Sequence, residues 1–237
     1  MELYIGNNLI SDVKEIQKIK TLPRLIILDI SGNSLCQDQS YRIYCIFHLQ
    51  KLKVLDGVSK EHSEMIDAKD TFAGRLTDEI LELRADGRKL KDLKELDLSS
   101  QKLKDFDNMF DETMFPNLKE LNLSHNSLQT LKGFSQMPKL KILVVKANRL
   151  SSLFCRPSET GMAKGLLGLT SLEVLDVSYN NLQDFYGLQF APLRELKILN
   201  ASNNDIVKID ALEKLRSLVE LDLSKNRIKT IEPGSFI

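Results

Sequence analysis

Three histidines, three cysteines and a balance of 33 basic against 33 acidic residues are what this 237-residue chain offers for chemistry. His48, His62 and His125 lie far apart, and none has a Cys or His at metal-ligand spacing, so they read as surface or cap residues. Ser124 precedes His125, yet adjacent residues of a strand face opposite sides or diverge at a bend, so they do not form a nucleophile and its base. The phosphate-cradling G-x-x-x-x-G-K-S/T, the serine elbow G-x-S-x-G and the dinucleotide pattern G-x-G-x-x-G are all missing from the string. What remains is carboxylates. Glu95 with Asp97 and Glu220 with Asp222 sit two residues apart and share one side of an extended strand, where a pair of carboxyls can divide acid and base roles. Both pairs, however, stand in the same Glu-Leu-Asp-Leu-Ser wording, and wording that repeats points to a solvated face. The chain is expected not to be an enzyme, and to need neither cofactor nor metal.

The elements that position these residues come from one phrase, L-x-x-L-x-L-x-x-N-x-L. It reads as Leu118, Leu121, Leu123, Asn126, Leu128 and as Leu218, Leu221, Leu223, Asn226, Ile228. Further copies are Leu140 to Leu150 around Asn148, Leu172 to Leu182 around Asn180, and Leu196 to Ile206 around Asn204. Earlier ones run Leu25, Leu28, Ile30, Asn33, Leu35 and Leu93, Leu96, Leu98, Leu103, the latter with Gln101 in the asparagine slot. Alternation sends Leu121 and Leu123 to one side of a short strand, while Glu120 and Asn122 point to the other. One strand per copy predicts a parallel sheet. The asparagine amide supplies an acceptor and two donors to backbone groups left unpaired by the bend after each strand. The asparagine column is therefore structural.

The step is 22 residues from Asn126 to Asn148 and from Asn204 to Asn226, with Ile206, Ile209, Leu212, Leu215 and Leu218 apolar at every third position between phrases. Period three suits 3₁₀ turns. The phrase resembles the leucine-rich repeat, and the step resembles the Sds22-like class typified by a phosphatase regulator. The resemblance implies an α/β leucine-rich repeat solenoid: a right-handed parallel-strand horseshoe with 3₁₀ or short helices on its convex side. Function in such solenoids belongs to the exposed inner face.

The array breaks once, between Asn33 and Gln101. Tyr41-Arg42, Leu55-Asp56-Gly57 and a charged stretch with Met65, Ile66, Ala68 and Phe72 resemble the C-terminal cap of such arrays. Thr77 then suits the N-cap of a helix over 78–85 that buries Ile80, Leu81 and Leu83 against the next strand. The expected domains are 1–74, the end of a first array with its cap, and 75–237, a helical start cap and a second array. Both ends interrupt the pattern, so the sequence is expected to be part of a longer chain or a short isoform.

The charge is evenly spread, with nine Lys plus Arg against ten Asp plus Glu in residues 1–74, and no nucleic-acid footprint is visible. No run of about 18 apolar residues is long enough for a membrane helix. Cys36, Cys45 and Cys155 are an odd, scattered set, and reduced thiols in a cytoplasmic protein are the expectation. The resemblance adds a ciliary or flagellar setting.

The inner face carries the functional signal. The column before the second leucine of each phrase is Glu95, Glu120, Ile142, Val174, Ile198, Glu220, and the next is Asp97, Asn122, Val144, Asp176, Asn200, Asp222. Apolar residues gather in the middle, with Lys146 and Tyr179 beside them. An apolar centre inside a charged rim is the anatomy of a protein-binding patch, and its partner should present an apolar anchor flanked by Lys or Arg. The partner reading is a protein, with neither nucleic acid nor membrane. The two functions weighed are a passive docking scaffold and a phosphatase regulatory subunit of the Sds22 type. Asn148 to Asn180 spans 32 residues, and the excess over 154–165 reads as a second contact or a tolerated insertion, the latter favoured. Met109, Phe110, Thr113 and Met114 have the spacing of a one- or two-turn helix facing the core.

Overall fold

The computed structural model describes residues 1–106, 109–134, 136–153, 165–186, 188, 193–210 and 212–231, with the backbone alone at Glu79. The chain divides into two compact units, Met1–Ala73 and Gly74–Ile237.

In the first unit, β1 (Glu2–Tyr4), β2 (Ile27–Asp29) and β3 (Val54–Leu55) pair in parallel, and β4 (Val58–Ser59) turns back antiparallel to β3. Asp56 and Gly57 both hold positive φ, 53° and 76°, to make that hairpin. Three helices complete the unit: α1 (Ile16–Ile19), α2 (Tyr41–His48) and α3 (His62–Phe72). Tyr41 and Arg42 close the last turn. The Tyr41 hydroxyl donates to Asp56 at 2.7 Å, and the other Asp56 oxygen accepts the Ile30 N–H at 2.8 Å. Arg42 ties α2 to α3 through Glu64 at 2.6 Å and also donates to the Leu55 carbonyl at 3.2 Å. Ala68 and Phe72 of α3 are buried, Phe72 against Tyr44, Phe47 and His48, whereas Met65 and Ile66 remain exposed. Cys45 is buried and its thiol is pushed up to about 12, by burial first and then by Asp56, so it is an inert core residue. Cys155 lies outside the described residues.

The second unit opens with α4 (Asp78–Ala85), whose Ile80 N–H is capped by the Thr77 hydroxyl at 3.5 Å. Leu81 is buried and Ile80 partly so, but Leu83 is 75% exposed, because it falls on the helix side turned away from the strands. Among the described residues six strands follow in chain order in one parallel sheet: β5 (Glu95–Asp97), β6 (Glu120–Asn122), β7 (Ile142–Val144), β8 (Val174–Asp176), β9 (Ile198–Asn200) and β10 (Glu220–Asp222). Their central leucines stand in register, Leu96, Leu121, Leu143, Leu175, Leu199 and Leu221, and form the inner wall of the core. Among the described residues short 3₁₀ pieces lie at Leu90–Asp92, ahead of β5, and at Gly165–Gly168, between β7 and β8.

Three residues after each strand ends, the chain turns left-handed at Ser100, His125, Ala147, Tyr179, Asn203 and Lys225, with φ between 54° and 58°, and after β5 Lys102 does so as well, at 59°. The next slot is the asparagine column. Asn148 is typical: its Oδ1 accepts the Leu128 N–H at 2.9 Å, and its Nδ2 donates to the carbonyls of Leu123 at 2.9 Å and Val145 at 3.0 Å. Asn126, Asn180, Asn204 and Asn226 make the same bonds one repeat along. Each amide thus joins two turns of the coil.

The expected helix around Met109 to Met114 does not form. Phe110 is instead fully buried and bridges to Phe134, within a cluster of Phe106, Phe110, Phe115 and Phe134 whose neighbouring rings lie 4.9 to 5.5 Å apart. Burial of aromatic area outweighs the local helical spacing. Asn108 and residues 154–164 of the long repeat lie outside the described residues.

Candidate protein-binding face

The strand register sets the surface of the second unit. Glu95, Glu120, Ile142, Val174, Ile198 and Glu220 are successive partners across the sheet, and Asp97, Asn122, Val144, Asp176, Asn200 and Asp222 form the parallel row two residues on. All twelve face away from the buried leucines. Ile142, Val144, Val174 and Ile198 are half-buried, while Glu95, Asp97, Glu120 and Glu220 are exposed. The apolar residues are therefore contiguous over β7, β8 and β9, with carboxylates at both ends of the row.

Within the second row the Asp and Asn side chains are already partly used. Asp97, Asn122, Asp176, Asn200 and Asp222 each accept the N–H of the serine two residues on, at 2.7 to 3.1 Å. These are Asx turns that steer the chain out of the strand. Hydrogen bonds from the Ser224 N–H and hydroxyl hold the Asp222 carboxyl below the ordinary range. Burial alone would raise Asp97, but Ser99 and the neighbouring Arg84 bring it below its usual value. The β7 repeat breaks this row, with Val144 and Lys146 in place of the Asx and Ser. There the Lys146 ammonium lies 5.3 Å from the centre of the Tyr179 ring, and Tyr179 is 49% exposed. Lys146 and Tyr179 thus border the apolar patch together.

Two residues that the sequence reading did not assign to this face also reach it. Arg84 of α4 and Arg88 beyond it line a depression of about 420 Å³ with Glu95, Asp97, Glu120 and Ile142. Asp86 and Gly87, with φ of 51° and 74°, fold the chain back so that Arg88 returns to the strands, and its Nε donates to the Ala85 carbonyl at 3.0 Å. The Arg84 Nε is buried and has no hydrogen-bond partner. The one available signal was the Asp-Gly turn after a short helix. The acidic rim is consequently mixed at the β5 end.

The three histidines stand in separate places. His48 packs in the aromatic cluster under α3, His62 begins that helix, and His125 occupies a left-handed turn with Ser124 buried beside it. Among the described residues no group of three or more His, Cys, Asp or Glu is placed to hold a metal ion, and no helix is long and apolar enough to cross a membrane.

Comparison with known proteins agrees with the repeat geometry. The family description "Leucine rich repeat" matches residues 91–150 and 163–206, and "Leucine Rich repeats (2 copies)" matches 194–233. Together these cover more than half of the chain. The chain belongs to the leucine-rich repeat family. Among its relatives, Toll-like receptor 2 type-1 of Gallus gallus is 33% identical over 53% of this chain and 17% of its own length. Acidic leucine-rich nuclear phosphoprotein 32 family member A of Drosophila melanogaster is 33% identical over 55% of this chain and 46% of its own. The chain thus spans less than half of either relative. The solved leucine-rich repeat domain of APL1B is 21% identical, covering 98% of this chain and 63% of that one, with a TM-score of 0.44.

Proposed function

We propose that this leucine-rich repeat chain is a non-enzymatic scaffold that docks a protein partner on the strand face of its second unit. The observation that carries the reading is the register itself, which makes Ile142, Val174 and Ile198 adjacent between the carboxylates of Glu120 and Glu220. Repeat solenoids use such extended faces for binding. The partner we propose offers an apolar anchor to β7–β9 and Lys or Arg toward Glu220 and Asp222. Toward β5 it offers an acceptor for Arg84 and Arg88, because that end of the rim is mixed.

The further reading is a cytoplasmic protein of the Sds22-like class. The linker from Tyr41-Arg42 through Phe72-Ala-Gly-Arg-Leu-Thr77 resembles that of leucine-rich repeat-containing protein 9, which supports a cilium or flagellum as its setting. The second functional reading, a phosphatase regulatory subunit, would place its catalytic subunit on this same face.

The test is affinity capture from ciliated-cell lysate with the wild-type chain, Val174→Asp, and Lys208→Glu as a control away from the strands. Proteins held by wild type and Lys208→Glu but released by Val174→Asp are the expected result. Equal capture by all three would refute docking on the strand face. A phosphatase catalytic subunit in the released set would favour the regulatory reading, and axonemal proteins the scaffold.

A further inference from the structure

We infer that the partner of the second unit presents an amphipathic α-helix laid across strands β7 to β9, with carboxylates on its flank toward the strand starts and Lys or Arg on the other. This rests on the docking proposed above and adds the partner's shape and polarity. Ile142, Val174 and Ile198 are successive cross-strand partners, all half-buried, and make an apolar stripe that runs across the strands, widened only at Val144. Neighbouring strands lie about 4.8 Å apart, so the stripe measures about 9.6 Å from its first residue to its last. One side of a helix offers residues i, i+4 and i+7, about 10.5 Å from end to end. An extended segment offers i, i+2 and i+4 over about 13.6 Å, and so loses register by most of one strand spacing.

The two edges of the stripe carry opposite charge. One residue ahead of it, the Lys119 N–H donates to the Lys94 carbonyl at 2.7 Å, and the same bond at 2.8 Å joins Lys141 to Lys119, Glu173 to Lys141, Lys197 to Glu173 and Val219 to Lys197. This row holds four exposed lysines and one carboxylate. Beside the stripe their heads converge: the two oxygens of Glu173 hold the Lys141 and Lys197 ammonium groups, from the repeats on either side, at 2.5 and 2.7 Å. That clamp shows what a carboxylate placed on this edge meets. Each ammonium has three N–H donors, of which Glu173 engages one, so both keep donors for an incoming acid. On the far edge the row of Asp97, Asn122, Val144, Asp176, Asn200 and Asp222 holds three carboxylates and no cation. A helix with acids on one flank and bases on the other matches both edges, whereas bases on both flanks would set one of them against the lysines.

The test uses stapled peptides of about 18 residues, roughly five turns, with leucines at i, i+4 and i+7 and the same hydrocarbon staple on the outward side, so that their helicity matches. Their flanks are Glu on one side and Lys on the other, Lys on both, or Glu on both. Fluorescence anisotropy with the full chain should show saturable binding of the Glu/Lys peptide, at least about five-fold tighter than either of the others. Lys119→Glu/Lys197→Glu should transfer the preference to the Lys/Lys peptide, and Lys119→Arg/Lys197→Arg should keep it, with far-UV circular dichroism showing both variants folded. Equal binding of the Glu/Lys and Lys/Lys peptides, or a preference unmoved by Lys119→Glu/Lys197→Glu, would overturn the polarity; release of those peptides by Val174→Asp would then leave docking on the face standing. A Glu/Lys peptide broken by a central proline that binds as tightly as the stapled one would overturn the helix. Binding of no peptide would also overturn this inference, whereas docking on the face is then decided by the lysate capture with Val174→Asp.

Discussion

The Lys146 ammonium reaches across one repeat to lie 5.3 Å from the Tyr179 ring centre, and it does so where the Asx-turn row is interrupted. In the five other strands of the second unit an Asp or Asn accepts the N–H of the following serine. Val144 has no acceptor to offer, and Lys146 replaces the serine. The contact should therefore be a real coupling between β7 and β8. A double-mutant cycle with Lys146→Met and Tyr179→Leu is expected to give about 0.5–1 kcal/mol by denaturant unfolding, the size of an exposed cation–π pair. A coupling indistinguishable from zero would mean that the ring and the ammonium are neighbours only.

The asparagine column should dominate stability far more than its exposed counterparts. Asn148→Ala removes an acceptor for Leu128 and donors to Leu123 and Val145, leaving buried backbone groups unpaired. The expected loss is about 3 kcal/mol, from one to three for each unsatisfied group. Asn8 occupies the same slot in the first unit but is exposed and bonds only the carbonyls of Ile5 and Gly6. Asn8→Ala should cost less than about 1 kcal/mol, the net worth of a solvated hydrogen bond. Equal losses in chemical denaturation would show that burial is not what gives the column its weight.

The contrast between these two asparagines bears on what was legible in the string. The leucine and asparagine spacing carries the strands, their order and the outward rows, because each repeat is built alike and stacks on its neighbour, so local pattern and tertiary pairing coincide. Thr77 as a helix cap was readable for the same reason: capping is a local hydrogen bond. Departures occur where contacts are not periodic. Phe110 joins Phe106 and Phe134 in the core instead of a helix, and Leu83 points out of α4 although its type suggests burial. Arg84 and Arg88 reach the strand face only through a chain reversal at Asp86-Gly87, which fixes a direction that no repeat spacing encodes.

Ala147 is a place where the fold holds a residue against its preference. Its φ is 54°, and the left-handed region costs a non-glycine residue roughly 1–2 kcal/mol. Glycine avoids that cost but loses about 0.5–1 kcal/mol in chain entropy. Ala147→Gly should therefore raise stability by a net of about 0.5–1 kcal/mol. A lower melting temperature for the variant would show that the Ala147 methyl makes a contact worth more than the strain.

Glu173, just ahead of β8, is clamped by Lys141 at 2.5 Å and Lys197 at 2.7 Å. Hydrogen bonds from those two ammonium groups, Lys141 first, pull its pKa down to about 2. A carboxylate depressed in the folded state contributes stability that is present above the free-glutamate value of about 4.3. That contribution fades as pH falls through the folded value near 2. The three side chains are partly exposed, so salt should weaken the clamp. Carbon-detected NMR of the Glu173 carboxyl is expected to show a midpoint near 2 at low ionic strength. Lys197→Gln should move it upward, and so should about 1 M salt, where the screening length falls to about 3 Å. A wild-type midpoint at the free-glutamate value, unmoved by Lys197→Gln, would show that the bridge across β7, β8 and β9 does not hold in solution.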